Sequence, residues 1–313
     1  MIAAITILRN RMNMQSLKSR FLYHVVKYQL AKLIQRNLPL PEYRLAREEA
    51  ASRLFRMPAG VKVQTAQVGG CPGEWLLPER QDSEGVVLFL HGGAYTGGSC
   101  ITHRALAARL ACSSRHRVFN PGYRLAPEHP FPAALDDALL AYRALRLAHP
   151  GAAIALSGDS AGGGLALALA VSVRDKGIAA PAALALMSPW TDLALSHPTH
   201  VTKAALDPYF PSKERLSVAA RHYAGDASLQ HPLVSPHYAQ LHQLPPTLIH
   251  VGTLEALLDD SRMLAERMIA QGSGARLKVF PGMWHVWQTL GGRMREADQS
   301  VAELGAFLHA HLG

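Results

Sequence analysis

Cysteine is scarce in this 313-residue sequence, which contains three. Cys71, Cys100 and Cys112 lie at no spacing typical of metal ligands, and their odd number does not suggest a disulfide framework. We therefore expect no metal site and no structural disulfide. A reducing compartment, the cytoplasm, is the expected location.

Charged residues and long hydrophobic runs are also few. Charged residues make up 18% of the chain and hydrophobic residues 49%. This composition is typical of a globular protein with a sizeable core, not of a disordered chain. The apolar run from Met1 to Leu8 meets Arg9 and Arg11 too early for a membrane span and in the wrong order for a secretory signal.

The net charge of +9 is concentrated near the N-terminus. Residues 1–56 contain eleven Lys and Arg against three Glu, whereas the rest of the chain is nearly neutral. This distribution argues against a nucleic-acid-binding core. Apolar residues from Leu17 to Ile34 recur at helical spacing, which predicts an amphipathic helix ended by Pro39 and Pro41. We favour docking of its apolar face on the protein itself, with contact to an anionic membrane surface as the alternative.

Short apolar runs of β type alternate with helical stretches from residue 61 onwards. This alternation predicts an α/β protein with a mostly parallel sheet covered on both faces. The predicted strands are 86–90, 117–120, 152–156, 182–187, 246–251 and 275–280, and the predicted helices after the first are 41–55, 133–148, 161–174, 259–270 and 294–312.

One segment interrupts the alternation. Residues 190–245 are rich in His and Pro and contain only short helical pieces, so we expect a lid above the strand ends. The predicted organisation is N-terminal helices at 1–56 that join the cap, a core at 57–189, a cap insertion at 190–235 and the rest of the core at 236–313.

The run "SGDSAGGG" (157–164) contains a G-x-S-x-G motif centred on Ser160. It lies between a predicted strand and a predicted helix, where a serine on a sharp turn projects its hydroxyl above the sheet. A phosphate-binding loop is excluded because Leu165 and Ala166 stand where Lys and Ser or Thr would follow the glycines. The position therefore predicts a nucleophilic serine.

A serine nucleophile requires a base and an acid elsewhere in the chain. The order Ser, acid, His of such sheets makes His285 in "PGMWHVW" the candidate base. Glu255, Asp259 and Asp260 follow the strand 246–251 and compete for the acid. The two aspartates open a helix and are explained as helix caps, so Glu255 is the first choice and Asp259 the reserve.

The oxyanion hole requires backbone N–H groups directed at the developing charge. Ala161 follows the nucleophile and provides one of them. The glycines of "HGGA" (91–94), after the strand 86–90, provide the others, and we assign Gly92 and Gly93. Asp159 has no assigned role.

With these motifs the chain resembles the bacterial hormone-sensitive-lipase-like esterases of the α/β-hydrolase superfamily. The matching stretches are "LHGGAYTGGS", "YRLAPEHPFPAALDD", "SGDSAGGGLA", "SPWTDL", "LPPTLIHVG" and "FPGMWHVW". The resemblance implies a helical cap, Ser160 as nucleophile, His285 as base, and an oxyanion region of Gly92, Gly93 and Ala161. The family commonly places its acid in a D-P-L-x-D pattern, and "EALLD" (255–259) aligns with it without a gap, which puts Glu255 in the acid position.

The resemblance implies a carboxylesterase that acts on short- to medium-chain acyl esters and needs no cofactor or metal. A lactone hydrolase, such as a monoterpene ε-lactone hydrolase, is the rival among hydrolases. A non-catalytic ligand receptor on the same fold is the alternative from another class, and the presence of His285 speaks against it. The expected partner is a small ester or lactone, and a homodimer is a further expectation from the resemblance.

Overall fold

A single sheet of eight strands forms the centre of the structure, a computed structural model that describes residues 16–313. The strands are β1 (Val61–Val68), β2 (Cys71–Pro78), β3 (Val86–Leu90), β4 (Arg117–Pro121), β5 (Ile154–Asp159), β6 (Leu184–Met187), β7 (Thr247–Gly252) and β8 (Ala275–Phe280). Their order across the sheet is β1-β2-β4-β3-β5-β6-β7-β8. β2 is antiparallel to β1 and β4, and every neighbouring pair from β4 to β8 is parallel. The predicted α/β architecture with a mostly parallel sheet is therefore confirmed.

Helices cover both faces of the sheet. They are α1 (Leu17–Gln35), α2 (Leu40–Leu54), α3 (Cys100–Ser114), α4 (Ala133–Ala148), α5 (Ala161–Asp175), α6 (Thr199–Thr202), α7 (Lys213–Ala224), α8 (Leu258–Ala270) and α9 (Arg295–Leu312), with 3-10 turns at Ala204–Leu206, Pro236–Tyr238 and Trp287–Leu290. Successive residues of a strand face opposite sides, so Leu88 lies in the core that includes α4, α5 and α8, whereas Phe89 lies in the core that includes α3 and α9. Because both faces are covered, the central strands are continuous apolar runs.

Two elements are absent from the predictions above. An antiparallel hairpin joins β1 to β2 through Gly69 and Gly70, both of which have positive φ. The helix α3 follows β3 and packs against α9 in the same core. Together they extend the sheet at one edge and cover one of its faces.

The segment between β6 and β7 departs from the regular alternation, as expected. It contains α6, α7 and two of the 3-10 turns, and Leu216, Ala220 and Tyr223 of α7 are buried in the core. It follows the carboxyl end of β6, the same edge of the sheet at which β5 delivers Ser160. This position is consistent with the expected lid.

The first described helix, α1, docks on the rest of the protein. Its buried residues Leu22 and Val26 pack with Met283, Trp284 and Trp287, which follow β8. The expected docking is therefore observed at Leu22 and Val26, whereas Leu17 and Phe21 of the same apolar pattern are 82% and 67% exposed.

Polar contacts fix α1 in the same place. The Tyr23 hydroxyl donates to the Leu206 carbonyl at 2.8 Å, and Lys27 Nζ donates to the Ala205 carbonyl at 2.8 Å. At the start of the helix, the Ser16 N–H and the Ser19 hydroxyl both donate to the carboxylate of Glu296. The helix thus contacts both the lid segment and the start of α9.

Within residues 16–313, no helix is long and apolar enough to cross a membrane. The apolar run Met1–Leu8, which the sequence argument excludes as a membrane span, lies outside the described residues, as does the part of the predicted N-terminal segment before residue 16.

Candidate active site

Ser160 lies on the sharp turn between β5 and α5. Its φ of 53° and ψ of −124° are strained for a residue with a side chain. A Cβ added to Gly158 would collide with the backbone of Gly162, and one added to Gly162 would collide with the carbonyl of Leu90. Only glycine fits these two positions, which explains the spacing of the motif.

The structure brings Ser160, His285 and Glu255 together. The Ser160 hydroxyl and His285 Nε2 are 2.8 Å apart, and His285 Nδ1 is 3.0 Å from Glu255 Oε2. The three residues are 3%, 2% and 0% exposed, respectively. Glu255 follows β7 and His285 follows β8, so three parallel strands deliver the three side chains to one edge of the sheet.

Glu255 is held from its other side as well. Its Oε1 accepts hydrogen bonds from the Gly252 N–H and from the Ser188 hydroxyl. Burial raises the pKa of Glu255, and the nearby charge of Asp207 adds to this effect, whereas the hydrogen bonds from His285 and Gly252 lower the pKa. The net pKa is raised. These contacts orient Oε2 towards the imidazole.

The two aspartates that compete with Glu255 lie elsewhere. The carboxylate of Asp259 is 3.4 Å from the guanidinium of Arg262, one turn further along α8. Asp260 is fully buried and accepts hydrogen bonds from the N–H groups of Thr191 and Asp192, with its other oxygen 2.6 Å from His200 Nε2. Both lie in the first turn of α8, as the helix-dipole explanation expects, but neither caps the helix, because the cap residue is Leu257 and no side chain bonds there. Asp260 instead holds the beginning of the lid segment.

The negative charges of three carboxylates act on the His285 imidazole. Burial by itself lowers the pKa of His285, but the hydrogen bond to Glu255 and the negative charges of Asp207, Glu255 and Asp159 outweigh burial. The net pKa is therefore raised above the ordinary histidine value of about 6.5. The site favours the imidazolium that forms when the base takes a proton.

The oxyanion region differs in one respect from the sequence assignment. The Gly92 N–H donates to Asp159 Oδ1 at 2.9 Å, so it is already engaged. Among the residues that the structure describes, no acceptor is found for the N–H of Gly93 or Ala94. Ala161 is the first residue of α5, so its N–H has no acceptor within the helix. The groups free to meet a developing charge are therefore those of Gly93, Ala94 and Ala161.

Asp159, for which the sequence suggests no role, joins the nucleophile turn to this region. It is 2% exposed, and its Oδ2 is 3.2 Å from His103 Nε2. Burial raises its pKa, but His103 and the Gly92 N–H outweigh burial, so the net pKa is lowered and the group is a carboxylate. A carboxylate only accepts, and hence the proton between them lies on His103 Nε2. Only the adjacency of Asp159 to Ser160 could have signalled this role.

The stretch "YRLAPEHPFPAALDD" braces the same region. The Tyr123 hydroxyl donates to the His91 carbonyl at 2.6 Å, and the two rings stack at 4.2 Å. Arg44 of α2 donates to the Ala126 carbonyl and forms an ion pair with Glu128. The stretch thus carries no reacting group but fixes the backbone before Gly92.

Aromatic side chains cover the imidazole. The rings of Tyr209 and Phe210 lie 5.7 and 4.9 Å from His285, centroid to centroid. Both residues belong to the segment between the 3-10 turn Ala204–Leu206 and α7. In this conformation, the catalytic edge of the sheet is closed from above.

The remaining histidines do not contact the triad. Within residues 16–313, no other histidine hydrogen-bonds to Ser160, Glu255 or His285. The described part of the chain, residues 16–313, contains no grouping of His, Cys, Asp and Glu suited to a metal ion. Cys71, Cys100 and Cys112 are free thiols, and burial raises the pKa of Cys71 to about 12.

Comparison with known proteins assigns the chain to a family. A sequence profile for the alpha/beta hydrolase fold matches residues 87–289. An acetyl-hydrolase of Streptomyces hygroscopicus is 40% identical over 247 residues, which cover 79% of this chain and 82% of the relative. An esterase of Acinetobacter venetianus is 35% identical over 257 residues, which cover 82% of this chain and 84% of the relative.

Comparison with solved structures points to the same family. A crystal structure of an esterase from the bacterial hormone-sensitive lipase family has a TM-score of 0.89 and 37% identity, and the match covers 96% of this chain and 100% of that one. A hormone-sensitive lipase from a metagenome library has a TM-score of 0.90 and 37% identity over the same shares. The chain therefore belongs to the bacterial hormone-sensitive-lipase-like esterases of the α/β-hydrolase superfamily, a family of carboxylic ester hydrolases.

Proposed function

We propose that the protein is a serine carboxylesterase that hydrolyses short- to medium-chain acyl esters through a Ser160, His285 and Glu255 triad. The observation that carries the proposal is the unbroken chain of contacts from Ser160 Oγ to His285 Nε2 at 2.8 Å and from His285 Nδ1 to Glu255 Oε2 at 3.0 Å. This geometry is that of a nucleophile, a general base and an orienting acid.

The reaction proceeds in two acyl-transfer steps. Ser160 Oγ attacks the ester carbonyl while His285 Nε2 takes the hydroxyl proton, and Glu255 stabilises the resulting imidazolium. His285 then gives the proton to the leaving alcohol oxygen, which departs and leaves an ester bond between Ser160 and the acyl group. Water, deprotonated by His285, attacks that ester, and the carboxylic acid is released with recovery of the Ser160 hydroxyl.

The carbonyl oxygen becomes negative in both steps and needs donors. We assign this role to the N–H groups of Gly93, Ala94 and Ala161, because the N–H of Gly92 donates to Asp159. Gly92 remains necessary on this proposal, since it anchors the loop that aims the two following N–H groups.

The aromatic cover supports a preference for small acyl groups. Tyr209 and Phe210 lie directly over His285, and Ser160 is almost completely buried, so a long acyl chain requires displacement of the cover. The name of the Streptomyces relative, acetyl-hydrolase, is consistent with a short acyl group. We propose that residues 1–56 and 190–235 form the cap that sets this range.

Labelling with a fluorophosphonate probe tests the nucleophile. The probe should modify wild-type protein at Ser160, and Ser160→Ala should lose both labelling and turnover. A folded wild-type protein that the probe does not label would contradict the enzyme proposal and favour a ligand receptor on the same fold.

A substrate panel tests the ester class. On p-nitrophenyl esters of increasing acyl length, kcat/KM should be highest for the short chains and decline as the chain lengthens. A lactone panel measured in parallel should give lower kcat/KM values. Faster opening of a lactone than of every ester would identify a lactone hydrolase instead.

A pair of acid variants tests Glu255. Glu255→Gln should lower kcat by about 10²- to 10⁴-fold, because the neutral amide no longer stabilises the imidazolium. Asp259→Asn, four residues further on and outside the triad, should retain kcat within about twofold. Comparable losses in both variants would leave Glu255 without a special role.

A further inference from the structure

Asp207 is a buried carboxylate that the proposed reaction does not use. It lies just after the 3-10 turn Ala204–Leu206 and is 1% exposed. Its Oδ1 accepts the N–H of Tyr209 at 2.9 Å and that of Phe210 at 3.4 Å, and its Oδ2 accepts the N–H of Ala256 at 3.0 Å. Within the described chain these partners are all backbone N–H donors, which suit the ionised carboxylate. Burial raises the net pKa of Asp207, and the charge of His285 and these hydrogen bonds oppose that rise.

These bonds connect two parts of the active site. Ala256 directly follows Glu255, and Tyr209 and Phe210 form the aromatic cover over His285. One carboxylate therefore ties the cover to the turn that carries the acid, although Asp207 and Ala256 are 49 residues apart in sequence.

The position of Asp207 is fixed from outside as well. Tyr23 and Lys27 of α1 donate to the carbonyls of Leu206 and Ala205, the two residues that precede Asp207. Docking of α1 thus restrains the segment that presents the carboxylate, and Asp207 is the point at which α1, the cover and the acid turn meet.

The residue at position 256 is critical to this link. In the D-P-L-x-D pattern of the family, the residue after the acid is proline, which has no N–H to donate. This chain has Ala256 at that position, and its N–H donates to Asp207. The hydrogen bond from position 256 to Asp207 can therefore form in this chain, whereas the proline of the common pattern has no N–H to donate.

We propose that Asp207 is a positioning residue for the triad. It holds the Glu255 turn and the aromatic cover in place relative to His285, and its negative charge acts on the imidazole in addition to that of Glu255. The proposal rests on the proposed triad. It predicts two separable effects, one of the hydrogen bond on geometry and one of the charge on His285.

Electrostatics support the second effect. The charged groups that act on His285 come from three elements: Asp207 from the lid segment, Glu255 from the turn after β7 and Asp159 from the end of β5. Although burial lowers the pKa of His285, these groups raise it, and Asp207 acts in the same direction as Glu255. Burial raises the pKa of Tyr209, and the positive charge of Arg47 of α2 opposes that rise. Loss of the Asp207 charge therefore lowers the pKa of His285, so that the base stays neutral to lower pH.

The experiment measures kcat/KM for p-nitrophenyl acetate against pH in the full chain. Its acid limb reports the pKa of the free enzyme's base. In Asp207→Asn the acid limb should move to lower pH by about half a unit or more. The plateau value of kcat/KM should fall by about tenfold or more. Ala256→Pro removes the N–H and keeps the Asp207 charge, although the proline ring also restricts the backbone of Glu255. Its plateau should therefore fall while its limb stays at the wild-type pH.

Asp259→Asn serves as the matched control, since it removes a neighbouring carboxylate outside the triad and should overlay the wild-type profile. Circular dichroism and fluorophosphonate labelling establish the folded, active fraction of each variant. An Asp207→Asn limb at the wild-type pH overturns the proposal, whatever its plateau. Failure of wild-type labelling would overturn the proposed triad instead, so the two failures are distinguishable.

Discussion

At the residue scale, Asp159 connects two parts of the candidate site, although no sequence motif assigns it a role. It directly precedes Ser160, the proposed nucleophile, and its two oxygens face the Gly92 N–H and the His103 ring, respectively. His103 is in turn 2.7 Å from the Thr102 hydroxyl, so the carboxylate is held from α3. A single side chain thus connects the Ser160 turn to the loop whose N–H groups we propose as oxyanion donors.

Asp159→Asn tests this role. An amide has one acceptor oxygen, so it satisfies either the Gly92 N–H or the His103 N–H but not both. The buried donor left unpaired should lower the free energy of unfolding by about 1–3 kcal/mol. We also expect kcat to fall with little change in KM, because the oxyanion loop loses its anchor.

Steady-state kinetics and denaturant unfolding measure the two quantities. Asp259→Asn is again the control, since it removes a carboxylate that is only partly buried. A variant with lower stability and unchanged kcat would make Asp159 a purely structural residue.

At the element scale, the lid segment is fastened to the core by the His200 and Asp260 pair. His200 lies on α6 and Asp260 on α8, and both side chains are fully buried. Burial lowers the pKa of His200, but the hydrogen bond and charge of Asp260, with the charge of Asp192, raise it overall. The protonated histidine therefore stabilises the folded state.

The stabilisation depends on pH with a definite sign. Because the folded pKa is above the unfolded value of about 6.5, the contribution is fully present below that pH and is lost as pH rises through the folded pKa. We expect the Tm difference between wild type and His200→Gln to be larger at about pH 6 than at about pH 8.5.

Thermal unfolding monitored by circular dichroism at several pH values measures this difference. His222→Gln, at an exposed position on α7, should show no such trend. A Tm difference that grows with pH would mean that His200 is neutral in the folded protein.

The elements differ in how well the sequence predicts them. Central strands such as β3 are buried along their whole length, so their continuous apolar runs are visible in the sequence. In α3, polar residues such as Thr102 and His103 are buried with the apolar ones, so the helix has no apolar stripe to detect. Most of β1 is exposed or half-buried, which weakens its pattern too.

The candidate site shows the same division. Ser160, Glu255 and His285 are predictable because each follows a recognisable strand and their chain order is constrained. Asp207 is not predictable, because it lies in an irregular segment and reaches the site only through the tertiary fold. The role of Asp260 is misassigned for the same reason. Its partners Thr191, Asp192 and His200 precede β7 in sequence, whereas Asp260 follows it.

At the scale of the whole molecule, α1 packs against segments that are distant from it in sequence. Leu22 and Val26 bury apolar surface against Trp284 and Trp287, and the docked helix restrains the segment that ends at Asp207. The basic N-terminal region therefore includes a helix that packs on its own protein, as the amphipathic pattern suggests.

Leu22→Ala combined with Val26→Ala tests the contribution of this docking. Loss of buried side-chain volume should lower the free energy of unfolding by about 2 kcal/mol or more. The emission of Trp284 and Trp287 should shift to longer wavelength as α1 loosens and water reaches them.

Denaturant unfolding and tryptophan fluorescence provide the readouts. Leu17→Ala, at a position 82% exposed on the same helix, should change neither. Unchanged stability in the double variant would mean that α1 contributes little to the fold.

The bond between Ser16 and Glu296 joins residues 280 positions apart. Tyr23 of α1 contacts Trp284, 261 positions later, so during synthesis at roughly 5–20 residues per second α1 emerges roughly 13–52 s before the residues that cover its apolar face. Until then the side chains of Leu22 and Val26 lack the partners that bury them in the folded protein.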